Sequence, residues 1–95
     1  MTNERFREMD DKIQEFLNIF LNTTAHMVLS CNGAYGMSHG EVTKPCDSWV
    51  FVGAGILNLH TSQLESVEVS PSVATFNYKD GSMASVRPDN SANPG

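Results

Sequence analysis

Between Asn3 and Asn22 the apolar residues fall at Phe6, Met9, Ile13, Phe16 and Phe20, in steps of three and four. That spacing lines side chains up on one stripe of an α-helix. Leu17 and Leu21 widen the stripe into a full core-facing surface. The opposite side carries Glu4, Glu8, Asp11, Lys12 and Glu15, with Glu8 and Lys12 in the favourable i,i+4 order. Thr2 or Asn3 is suited to cap the start, and Asn22-Thr23-Thr24, poor helix formers, to end it. The pattern predicts a helix over residues 3–22.

Beyond Thr24 the helical period disappears and short β-type runs follow. Ala25–Cys31 is the first, and Asn32–Gly40, with three glycines and an Asn-Gly turn signal, reads as a loop. Glu41–Lys44 forms a short run closed by Pro45. Ser48–Val52 and Ile56–His60 are separated by Gly53-Ala54-Gly55, which suits a turn. In Leu64–Val69, Leu64, Val67 and Val69 stand against Glu65 and Glu68. Val73–Tyr78 and Met83–Arg87 flank Lys79-Asp80-Gly81-Ser82, and Asp-Gly between two strand-like runs is a strong hairpin signal. One α+β domain over residues 1–87 is expected: an N-terminal α-helix (3–22), then a β-rich part (25–87) curled into a small, strongly bent antiparallel barrel. Residues 88–95, PDNSANPG, have no apolar anchor and read as a flexible tail.

Ninety-five residues suffice for one domain and not for two. Charge narrows the partners. The chain has 11 acidic and 6 basic residues, a net charge of −5. Beyond the helix the only cations are Lys44, Lys79 and Arg87, too few to displace counterions along a duplex, so duplex DNA is not an expected partner. The first twelve residues carry four acids and no apolar run, and Trp49–Leu57 is too short to span a bilayer. Neither a secretory signal nor a membrane anchor is expected, and the expected location is cytoplasmic.

Reactive side chains are present without a recognisable module. Cys31 and Cys46 could close a loop of roughly 15 residues, but reduced thiols are the default inside a cell. His26, Cys31, His39 and Cys46 are zinc-type ligands, yet four, seven and six residues separate them, and zinc modules contain at least one close pair. No metal or cofactor is expected from this spacing. Ser38-His39 near Asp47 holds the letters of a hydrolytic triad, but neighbours on a strand point to opposite faces. Gly53-Ala54-Gly55 lacks the third glycine and the following helix of a dinucleotide loop. An enzyme is not expected.

Several segments between Gln14 and Val69 resemble the Sm-like family, in particular its Hfq-like RNA chaperones. Gln14-Glu15-Phe16-Leu17-Asn18 is similar to the family's helix start, and Asn32-Gly33 to the turn between its first two strands. Gly40-Glu41-Val42 is similar to the opening of the second strand, and Asp47-Ser48-Trp49-Val50-Phe51-Val52 to that of the third. Leu57–Val69 follows the pattern of the two closing strands. The resemblance implies an SH3-like bent barrel under the helix, with Val73–Arg87 as an extra C-terminal β-hairpin. It also implies a homo-oligomeric ring in which Ile56–His60 of one protomer pairs with Leu64–Val69 of the next. By the same resemblance Gln14 would hydrogen-bond and Trp49 would stack on uridine. Thr61 and Ser62 stand where the family carries its RNA-contacting Lys-His pair, and the helix surface is acidic rather than basic.

Two functions are therefore expected to compete. One is a non-enzymatic oligomeric binding module for short single-stranded RNA or a nucleotide-like ligand, with Gln14, Tyr35, Trp49 and His60 supplying stacking and hydrogen bonds. The other is a small acidic phage-type inhibitor whose negative helix covers the basic nucleic-acid groove of a host protein.

Overall fold

The computed structural model describes residues 3–44 and 49–89. Cys46, Asp47 and Ser48, the side chain of Phe6 and the chain beyond Asp89 lie outside that description. Helix α1 spans Asn3–Phe20 and is followed by β1 (Thr24–Cys31), β2 (Ala34–Thr43), β3 (Trp49–Val52), β4 (Gly55–Asn58), β5 (Leu64–Val69), β6 (Ala74–Tyr78) and β7 (Met83–Pro88). The helix ends two residues short of the expected Asn22. Asn22 takes the left-handed conformation (φ 68°), and the Thr23 backbone N–H and hydroxyl both donate to the Phe20 carbonyl. An Asn at that position tolerates positive φ and closes the last turn.

All strand pairs are antiparallel, in one curled, half-barrel sheet of seven strands ordered β4-β3-β2-β1-β7-β6-β5. The fold is α+β with a strongly bent sheet, as the sequence leads one to expect. The C-terminal hairpin does not sit outside the barrel as an appendage. It is inserted between β1 and β5, so that β1 is flanked by β2 and β7.

The concave side holds the core. Met9, Ile13, Phe16, Leu17 and Phe20 from α1 pack there against Met27, Val42, Val50, Val52, Leu57, Leu64, Val67, Phe76 and Val86. Phe16 stacks on Phe20 with ring centroids 5.1 Å apart and meets Phe76 edge to face at 5.0 Å. These arrangements add about 0.5–1.5 kcal/mol per pair to the burial itself. In β5 a bulge between Leu64 and Ser66 takes up one residue, which is why Leu64 and Val67, three apart, both face inward.

The segment read as a loop is mostly strand. Asn32 (φ 51°) and Gly33 (φ 85°) form a two-residue type I′ turn, and β2 begins at once with Ala34. Its two glycines, Gly36 and Gly40, do not interrupt pairing, and both fall on the face opposite the large side chains. Gly36 faces Leu29 across the ladder, Ser38 faces Met27 and Gly40 faces Ala25, while Tyr35, Met37 and His39 alternate outward. A Cβ on Gly40 would lie 2.5 Å from the Gly53 Cα, so β2 turns over the β3–β4 connection at a point where only hydrogen atoms fit.

Candidate functional site

The four residues singled out for ligand binding do not converge. Gln14 is on the solvent side of α1. Tyr35 is 76% exposed beside the β1–β2 turn, paired with Ser30. Trp49 opens β3 and is 46% exposed on the outer surface, because Val50 and Val52 take the inward positions. His60 follows β4 and donates its backbone N–H to Asn58 Oδ1, and Asn58 is the cross-strand partner of Trp49. Trp49 and His60 therefore share one end of the β3–β4 hairpin, whereas Tyr35 belongs to the tip of the β1–β2 hairpin.

That end of the β3–β4 hairpin borders a cleft of about 370 Å³. Leu29 and Ile56 supply apolar wall, and Asn58, Gln63, Tyr78, Lys79 and Asp80 supply polar groups. Hydrogen bonds tie its rim together. The Tyr78 phenol donates to the Asn58 carbonyl (2.7 Å), Asn58 Nδ2 donates to Gln63 Oε1 (2.8 Å), and the Lys79 backbone N–H donates to the Gln63 carbonyl (2.9 Å). These contacts bridge the end of β4 to the β6–β7 turn, although the two strands are far apart in sheet order. Burial pushes the Tyr78 phenol up to about 12. Asp80 accepts from both the hydroxyl and the backbone N–H of Ser82, which holds its carboxyl below the usual range.

A second constellation lies on the outer surface of β2, β1 and β7. His26 and His39 are cross-strand partners with ring centroids 4.4 Å apart. Each directs Nε2 to one oxygen of the same carboxylate: His26 to Asp89 Oδ1 at 3.2 Å, His39 to Asp89 Oδ2. Asp89 falls within residues 88–95, where the sequence leads one to expect a flexible tail. Instead β7 runs through Pro88, and Asp89 donates its backbone N–H to the Thr24 carbonyl, placing the side chain under the two rings. The carboxylate is only 5% exposed, against 44% and 51% for the imidazoles.

The pairing of the two histidines leaves a signal in the sequence. If Asn32-Gly33 is a two-residue turn, residues equidistant from it pair, and His26 and His39 are equidistant. Asp89 has no such signal, because its position follows from the β1–β7 pairing. Of the earlier zinc-ligand set, Cys31 is exposed at the far end of β1, five positions from His26. At about 3.3 Å per residue that is some 16 Å away. Cys46 lies outside the described residues. Ser38 faces inward and His39 outward, so the triad letters fall on opposite faces.

Among the described residues no helix is long and apolar enough to cross a membrane. No family model, no curated protein and no solved structure matches the chain.

Proposed function

We propose that the protein is a non-enzymatic cytoplasmic binding module of Sm-like type that takes a short single-stranded RNA or a nucleotide-like ligand in the cleft beside β4. The observation that carries this reading is the cleft itself. Its volume of about 370 Å³ suits a nucleoside-sized ligand. Leu29 and Ile56 offer an apolar face for a base, the amides of Asn58 and Gln63 offer edge hydrogen bonds, and Lys79 offers a cation for phosphate. Self-association is part of the proposal. β4 and β5 are the two ends of the strand order, so each presents an unpaired edge that a second copy can complete. Repetition of one weak site around an oligomer would offset the shortage of positive charge.

Trp49 is the chain's single tryptophan, and its cross-strand partner Asn58 lines the cleft. Its fluorescence should therefore change on titration with uridine and adenosine monophosphates and with oligouridylate, and Lys79→Ala should weaken the phosphate-bearing ligands. Absence of any change up to millimolar nucleotide would refute the cleft as a nucleotide site. Light scattering coupled to gel filtration tests the oligomer: a mass several times 10.4 kDa is expected, and a clean monomer overturns it.

A second reading rests on a different observation. Glu8, Asp10, Asp11 and Glu15 are all exposed on α1 and outnumber the exposed Arg7 and Lys12, a net acidic surface suited to a basic nucleic-acid groove on another protein. Under the inhibitor reading a host DNA- or RNA-binding protein should be captured by the wild type. Reversal of two of these charges should release it.

A further inference from the structure

We infer that His26, His39 and Asp89 form a binding site for a divalent transition-metal ion of the zinc type. The site is separate from the cleft and does not depend on the function proposed for it.

Two imidazole nitrogens and a carboxylate oxygen, from β1, β2 and the residue that follows β7, lie within 4.8 Å of one another. Those are the donor types that zinc and its first-row neighbours select, at bond lengths of about 2.0–2.2 Å. Donors bound to one tetrahedral ion at such lengths stand about 3.4 Å from one another, and His26 Nε2 and Asp89 Oδ1 are already 3.2 Å apart. The adjustment needed is small because the scaffold already aims them. His26 and His39 are fixed by the β1–β2 register, and Asp89 by β7 and by its backbone bond to Thr24.

The protonation pattern points the same way. An ionised carboxylate only accepts, so both Nε2 atoms must carry the hydrogens directed at Asp89. Two protons thus sit between two imidazoles and one carboxylate, where one cation would serve. On metal binding the hydrogen of each neutral ring moves from Nε2 to Nδ1 by exchange with solvent, so that Nε2 offers a lone pair to the ion. A carboxylate that is 5% exposed beneath two half-exposed rings leaves the outer side open, so water completes the coordination. Among the described residues, the charged positions next to the trio in the ladder include Glu41, two positions on from His39, and Arg87, the cross-strand partner of His26. One is negative and one positive, so they leave the local field close to that of the trio. The rejected cysteine-histidine set shares only the two histidines with this site, and the new ligand is one that strand order supplies.

The alternative is that the trio is a hydrogen-bonded clasp and nothing more. Calorimetric titration of the metal-free full chain with Zn²⁺ near neutral pH separates the two. The site predicts one Zn²⁺ per chain, with affinity reduced about ten-fold or more in His39→Ala and in Asp89→Asn, and unchanged in His60→Ala and Cys31→Ser. Because Asp89→Asn could also loosen β7, imidazole ¹⁵N spectra provide a readout that does not depend on a variant. Sub-stoichiometric Zn²⁺ should shift the Nε2 resonances of His26 and His39 and leave those of His60 in place. No heat at millimolar Zn²⁺, equal affinity in His39→Ala, or shifts confined to His60 would overturn the inference and leave the clasp.

Discussion

Gly53→Ala tests the sharpest steric statement the fold makes. Gly53 has φ 61°, and a Cβ there would overlap the His39 carbonyl oxygen, lie 2.8 Å from its carbon and 3.2 Å from the Gly40 Cα. Two costs add. A non-glycine residue in the left-handed region costs about 1–2 kcal/mol. Relieving the overlap means pushing back the backbone of β2 at its bend, for which overpacking of about 1–3 kcal/mol is the nearest guide. The expected loss is about 3 kcal/mol, a large share of a domain's usual ~5–15 kcal/mol. Gly81→Ala is the internal control. Gly81 also has positive φ (94°), but a Cβ would meet nothing within 4 Å, so only the conformational cost of about 1 kcal/mol applies. The entropy lost by the unfolded chain is common to both variants and cancels in their difference. Urea unfolding followed by circular dichroism should place Gly53→Ala about 2 kcal/mol below Gly81→Ala at equal m. If the two variants agree within about 0.5 kcal/mol, the close approach of β2 to the β3–β4 turn is not the constraint described.

Phe76→Ala removes the ring that Phe16 meets edge to face at full burial and should cost about 3–5 kcal/mol by the same urea assay. Tyr78 makes stability fall at alkaline pH. Its phenol ionises at about 12 in the fold against 10.0 outside it, so the folded state holds the proton more tightly. The associated stability is whole below pH 10 and is lost as pH rises towards 12. It amounts to about 2 kcal/mol after allowance for partial exposure, and Tyr78→Phe should abolish that pH dependence. Trp49→Ala should leave far-UV circular dichroism and melting near wild type, because the side chain is half exposed on the outer surface. A loss of 3 kcal/mol or more would make Trp49 a core residue after all.

What could be read in advance was whatever is encoded locally. The α1 stripe is visible because Met9, Ile13, Phe16 and Phe20 repeat at the helical period, and all four are buried. Both hairpin turns are visible because Asn-Gly and Asp-Gly are nearly the only chemistry that fits them. β2 was hidden by its glycines, which signal a loop when counted. Taken in alternation they form a small-residue face, Ala34, Gly36, Ser38 and Gly40, opposite a large one, Tyr35, Met37, His39 and Glu41. The place of the C-terminal hairpin could not be read, because β1–β7 pairing joins distant segments and leaves no local mark. Asp89 was misassigned for that same reason. The cleft residues are scattered between Leu29 and Ser82, and only the curl of the sheet gathers them.

The strand order also has a kinetic consequence. The chain up to β4 is a helix plus a meander of neighbouring hairpins, and β5–β6–β7 is a second meander. Only β1–β7 joins them within the sheet, pairing Ser30 with Met83 roughly 50 positions later. Closing a loop of that length costs ~3 kcal/mol more entropy than closing a two-residue turn. The hairpins should therefore form early and fast, and the β1–β7 seam should set the pace of folding. Substitutions along that seam, such as Val86→Ala opposite Met27, should slow refolding more than they speed unfolding. Until the seam closes, two open meanders expose four strand edges instead of two, which is when a chain of this design is most prone to pair with its neighbours.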